Sequence, residues 1–118
     1  MFIRLLAIVL PFAVAAQSDP VTGLWEGQYA GKAGVENPIR VELRLDGSRV
    51  DGFVMTEAEK LPIEKGAFDP NGSAIHFEVE YRFDNHRYII DGVVKPGEIN
   101  GTWKHESDGG LLGLRRTR

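Results

Sequence analysis

Histidine beside carboxylate is the arrangement in this sequence best suited to hold a metal or move a proton near neutral pH. Of the three histidines, His86 follows Asp84 closely, and His105 precedes Glu106 and Asp108. By the strand order set out below, His86 and His105 both fall near the barrel's mouth, with Glu57, Glu59, Asp84, Glu106 and Asp108 on the same rim. No two of these residues have ligand spacing within one element, so neither a metal nor any other cofactor is expected. Haem bound through one histidine would use His105, and no spacing calls for it. His76 alternates with Ile75 and Phe77 and should face solvent. The four serines (Ser18, Ser48, Ser73 and Ser107) lie outside any G-x-S-x-G turn and none adjoins a histidine. Phosphate-binding loops, dinucleotide fingerprints and paired cysteines are missing as well. The sequence shows no catalytic motif, and the chain is not expected to be an enzyme.

The elements that must position these side chains read almost entirely with a period of two. Ile39-Arg40-Val41-Glu42-Leu43-Arg44-Leu45-Asp46 alternates apolar and charged residues without a fault, and Ile75 to Phe83 repeats the pattern. That is a strand with one face buried and one face wet; a helix would need apolar residues three and four apart. Turn signals recur about every ten residues at Asp46-Gly47, Asp69-Pro70-Asn71-Gly72, Asp84-Asn85, Lys95-Pro96-Gly97 and Asp108-Gly109-Gly110. Eight strands follow, near 22–30, 38–46, 48–56, 61–68, 73–83, 86–95, 97–105 and 110–117. The fold class is therefore all-β. Short connections favour a meander, and an eight-stranded antiparallel up-and-down barrel closes it without edges. A β-sandwich is the other arrangement these strands allow.

The first residues have a different character. Arg4 precedes an apolar run from Leu5 to Val14, which ends in Ala15-Ala16. A basic start, a short apolar run and small residues make a secretory signal peptide, and the run is too short to span a bilayer. Residues 1–16 are read as a cleaved leader and residues 17–118 as a single β-barrel domain, periplasmic or secreted. With no cysteine, the domain has no disulfide and must rely on packing. The formal net charge of −3 becomes one unit more negative once Arg4 leaves. Both signs are interspersed, so neither nucleic acid nor a membrane is an expected partner of the mature form.

In a meander, Asp46-Gly47, Pro70-Asn71-Gly72 and Pro96-Gly97 all turn at one end, which should be closed. The longer connections, with Ala30–Asn37 long enough to form a lid, share the other end, which should be the mouth. By phase, the inward face includes Trp25, Tyr29, Val41, Leu43, Val50, Val54, Ile75, Phe77, Val79, Tyr81, Tyr88, Ile90, Val94, Ile99, Trp103, Leu112 and Leu114. An eight-stranded barrel is wide enough either to fill with side chains or to hold one small ligand. The ligand reading places an apolar pocket near the mouth, lined by Tyr29, Val41, Phe77, Tyr81, Tyr88 and Trp103. Inward Gly27, Gly52, Gly92 and Gly101 could open room for it; strand coiling is their other explanation.

Gly23-Leu24-Trp25 at the start of strand one, with arginines in the last strand, resembles the lipocalin-like (calycin) barrels. The resemblance implies a tryptophan packed across the closed end and covered by an arginine: Trp25, with Arg116 or Arg118. Gly101-Thr102-Trp103 is similar to the G-T-W strands of avidin-type barrels. The chain lacks the lipocalin T-D-Y-type motif, since Lys95-Pro96-Gly97-Glu98 stands in that turn. It looks more like the small exported bacterial barrels of unassigned function that begin T-G-x-W-x-G and end in a short arginine-containing strand.

Outward apolar residues (Phe53, Met55, Ile89, Val93 and Leu111) could mark a surface for self-association or a protein partner if they cluster. The expected function is a binding module for a small hydrophobic ligand. The alternative is a solid barrel acting as a protein-interaction or accessory module of the cell envelope.

Overall fold

In the computed structural model, residues 19–81 and 86–118 are described. The leader expected at residues 1–16 and the turn expected at Asp84-Asn85 lie outside them. The alternating segments form β1 (Gly23–Ala30), β2 (Glu36–Asp46), β3 (Arg49–Met55), β4 (Lys60–Pro62), β5 (Glu64–Asp69), β6 (Ala74–Tyr81), β7 (His86–Lys95), β8 (Glu98–His105) and β9 (Asp108–Arg116). Every strand pairs antiparallel with the next around the ring, and β9 returns to β1 through Trp25↔Arg116 to Tyr29↔Leu112. Strands β4 and β5 together form one stave, because β3 pairs with both. The fold is thus a closed eight-stranded up-and-down barrel.

The interrupted stave departs from the single strand 61–68 read from sequence. Its register to β6 slips by one residue between Glu64↔Glu78 and Ala67↔His76. Lys65 absorbs the extra residue with a left-handed φ of 52°. Such a bulge bends the strand and increases its twist, which a closing barrel requires. The loop read as a lid is also shorter than expected. Strand β2 already begins at Glu36. What remains holds a 3-10 turn at Lys32–Gly34, closed by the Gly31 amide donating to the Val35 carbonyl at 2.7 Å.

Glycines in the inward phase serve strand coiling and do not open the interior. A Cβ on Gly27 would stand 1.8 Å from the Gly113 carbonyl oxygen, and one on Gly52 equally close to that of Glu42. Gly52 also holds φ at 143°, a conformation that side chains rarely adopt. The neighbouring backbone occupies the space each glycine leaves.

The core fills the closed half. Val21 and Trp25 are fully buried there with Leu43, Val50, Ile75, Phe77 and Ile99. Residues 19–22 fold across this end as a plug. The Trp25 indole N–H donates to the Val21 carbonyl at 2.9 Å, and the Asp19 carboxylate accepts the Val21 amide at 2.6 Å. Burial opposes the charge on Asp19. Hydrogen bonds from the Thr22 hydroxyl and the Val21 and Thr22 amides, helped by Arg116, still hold its carboxyl below the ordinary range.

Candidate functional site

Above this core the side chains stop short of filling the barrel. A cavity of about 320 Å³ lies in the mouth half, walled by Tyr29, Ile39, Val54, Thr56, Leu61, Val79, Tyr81, Tyr88, Ile90, Trp103 and Leu112. The wall is apolar apart from the tyrosine hydroxyls, Thr56 and one indole. Two larger concavities, of about 790 and 570 Å³, are troughs in the outer wall and carry exposed side chains such as Glu26, Asn100 and Thr102, or Glu42 and Arg44.

Four of the six residues assigned to a pocket from sequence therefore meet on one cavity wall: Tyr29, Tyr81, Tyr88 and Trp103. Val41 and Phe77 do not line it. Both are about 1% exposed and pack within the core. Val54, Val79, Ile90 and Leu112 were expected to point inward but not to line a pocket, and Ile39, Thr56 and Leu61 were in neither set. Ile39 shares the inward phase of Val41 and Leu43, a signal that could have found it. Leu61 stands on the three-residue β4, too short to show a period. None of the inward glycines touches the cavity. Its volume comes instead from how the mouth aromatics stand.

Those aromatics hold one another. Tyr29 meets the Trp103 ring edge-on at a centroid distance of 5.8 Å, and Tyr88 lies 6.0 Å from Trp103 with its ring tilted. Tyr81 meets Tyr88 edge-on at 6.4 Å. The Trp103 indole N–H donates to the Ala30 carbonyl at 2.8 Å. It reaches across Gly110, which lies opposite Trp103 in the register of β8 and β9. Trp103 is therefore pinned upright along the wall, and its N–H is committed to the backbone. Such edge-to-face pairs contribute about 0.5–1.5 kcal/mol each beyond their buried area.

No family model matches the chain, and no curated protein matches it either.

At the rim, the aromatic series continues into two histidines. His105 stacks on Tyr88 with a centroid distance of 4.5 Å, and the His86 ring lies 4.4 Å from that of His105. His86 Nε2 stands 3.1 Å from Glu106 Oε2.

At the opposite end, Arg116 covers Trp25, its guanidinium 5.0 Å from the ring centre. Arg116 also donates to the backbone carbonyls of Asp19 and Pro20. Arg118 joins this end through its backbone, its carbonyl accepting the Leu24 amide at 2.9 Å.

The outer face carries a charged network that sequence reading passed over. His76 Nδ1 lies 2.6 Å from Asp91 and Nε2 2.8 Å from Glu78, which is nearly buried beneath it. Arg87 joins Glu78 to Glu64 and Glu80. Two pairs are directly cross-strand, His76 with Asp91 and Arg87 with Glu80, while Glu78 lies two residues along β6 from His76. Of the outward apolar residues, Leu111 is 70% and Val93 44% exposed. Asp91 separates Ile89 from Val93 on the same face of β7. Asn100 and Thr102 of β8 stand between that strand and Leu111.

Proposed function

We propose that this is an exported, lipocalin-like barrel that binds a small apolar molecule in the cavity beneath its mouth. One observation carries the reading: the closed half holds the buried core, while the mouth half keeps an open-topped space of about 320 Å³ lined by aromatic and aliphatic side chains. Ligand sites run from roughly 300 to 1,000 Å³, and an apolar cavity of about 150 Å³ already takes benzene. The space suits a molecule of roughly ten heavy atoms, such as a substituted aromatic ring or a medium acyl chain. The G-x-W tryptophan beneath an arginine of the last strand supports the lipocalin-like kinship. The apolar leader at residues 1–16 supports a periplasmic or secreted location.

Titration with 1-naphthol tests the reading. Trp103 lines the cavity and Trp25 is sealed at the far end, so binding should change the emission of one tryptophan saturably. Val79→Phe and Leu112→Phe, each enlarging a wall side chain, should abolish the response in a folded barrel. A wild-type protein that ignores the probe, or variants that respond as it does, would exclude the cavity. The alternative, a barrel that works through its outer face, would then stand, and self-association weakened by Val93→Glu would support it.

A further inference from the structure

The rim holds a constellation that the apolar cavity does not need. We propose that His86, His105 and Glu106 bind a divalent transition-metal ion at the mouth, zinc being the best match to the donor set. The inference stands independently of the apolar ligand.

The topology brings the three side chains together from different elements. His86 opens β7, His105 closes β8, and Glu106 begins the two-residue turn into β9. Each offers one ligand atom, and the three atoms all lie within 4.8 Å of one another. Around a tetrahedral ion with bonds of about 2.0–2.2 Å, neighbouring donors stand roughly 3.3–3.5 Å apart. His86 and Glu106 are already at 3.1 Å. The His105 donor lies within 4.8 Å of both, and a bound ion would draw the three closer.

Two details bear on this arrangement. His105 Nε2 is shielded from water and has no hydrogen-bond partner among the described residues. A buried ring nitrogen is ordinarily satisfied, and a metal bond is one way to satisfy it. Glu106 adopts a left-handed φ of 53° at the first turn position. Glycine, asparagine or aspartate is the usual occupant of such a hairpin position. A longer carboxylate stands there instead, with its oxygen against His86.

Two imidazoles and a carboxylate form a zinc donor set that leaves a coordination position for water or an added ligand atom. Imidazole also suits copper and nickel, so geometry and supply decide among them. Tyr88 ties the two sites together: it stacks on His105 and lines the cavity. An ion at the rim would lie beside the opening, where the polar end of an apolar molecule would emerge.

Cobalt(II), with its visible absorption in low-symmetry sites, is the probe for the first titration, followed by displacement with zinc against a chromophoric chelator. The expected result is one ion per chain, with zinc affinity at least tenfold weaker in Glu106→Gln and His105→Gln. Glu106 is exposed, so its replacement reads binding without endangering the fold. His76→Gln removes the other histidine placed between carboxylates and should leave the affinity unchanged. Failure to bind one equivalent overturns the proposal. So does binding that survives Glu106→Gln and His105→Gln, or that is lost in His76→Gln.

Discussion

Trp103 spans the edge of β9 to hydrogen-bond the Ala30 carbonyl, and the gap through which it passes is the missing side chain of Gly110. This contact decides how the mouth is built. With the indole fixed against the wall, Tyr29 meets it edge-on and Tyr88 lies tilted beside it, and the cavity extends from them to Val79, Ile90 and Leu112.

A methyl group on Gly110 would meet the Ala30 oxygen at 2.3 Å and Trp103 Nε1 at 2.9 Å. Gly110→Ala should destabilise the barrel by about 2–3 kcal/mol in urea unfolding and shift Trp103 emission. Gly72 is a natural contrast, since a Cβ there meets nothing within 4 Å. Gly72→Ala should change stability by less than about 1 kcal/mol, toward greater stability.

Arg116 clamps the closed end through the Trp25 ring and two backbone carbonyls. Arg116→Ala should cost about 1–3 kcal/mol and shift Trp25 emission to the red as water reaches the ring. Arg116→Lys keeps the charge but loses the planar fork, so it should recover only part of the loss. Equal stability in all three proteins would show that the plug of residues 19–22 holds without the clamp.

The outer network makes stability depend on pH with a definite sign. The hydrogen bond to Asp91, then that to Glu78, raise the His76 pKa above 6.5 against the effect of partial burial. The protonated form therefore favours folding. Its contribution is complete below the unfolded value and is lost as pH rises through the folded one. The stability gap between wild type and His76→Gln should be up to about 1 kcal/mol near pH 5.5, given the exposure of the pair, and should close by about pH 9. Glu78 behaves oppositely. The His76 hydrogen bond, then the charges of Lys65 and Arg87, lower its pKa against burial, so its contribution is lost as pH falls below the ordinary carboxylate range. A gap that widens with rising pH would contradict the assignment for His76.

Much of the fold was legible because alternation is a local signal. Ile39 to Asp46 and Ile75 to Tyr81 declare their faces residue by residue, and the turn residues between strands set the meander. The bulge at Lys65 was not legible, since a left-handed lysine carries no mark in the sequence. Within the site, phase alone placed Tyr29, Tyr81, Tyr88 and Trp103 inside. Phase cannot tell how deep a residue lies, and so it drew Val41 and Phe77 from the core into the pocket. The strand order already put His86, His105 and Glu106 on one rim, but their donor atoms lying within 4.8 Å of one another is a three-dimensional fact that no local signal carries.

Native mass spectrometry of protein taken from the producing cells without denaturant tests the central claim most directly. A non-covalent adduct is expected, of the size of a small apolar molecule, removed by organic extraction and restored by added decanoate. It should be absent from Val79→Phe. A bare mass before and after decanoate, at every protein concentration tried, would contradict the account and leave the barrel without an interior ligand.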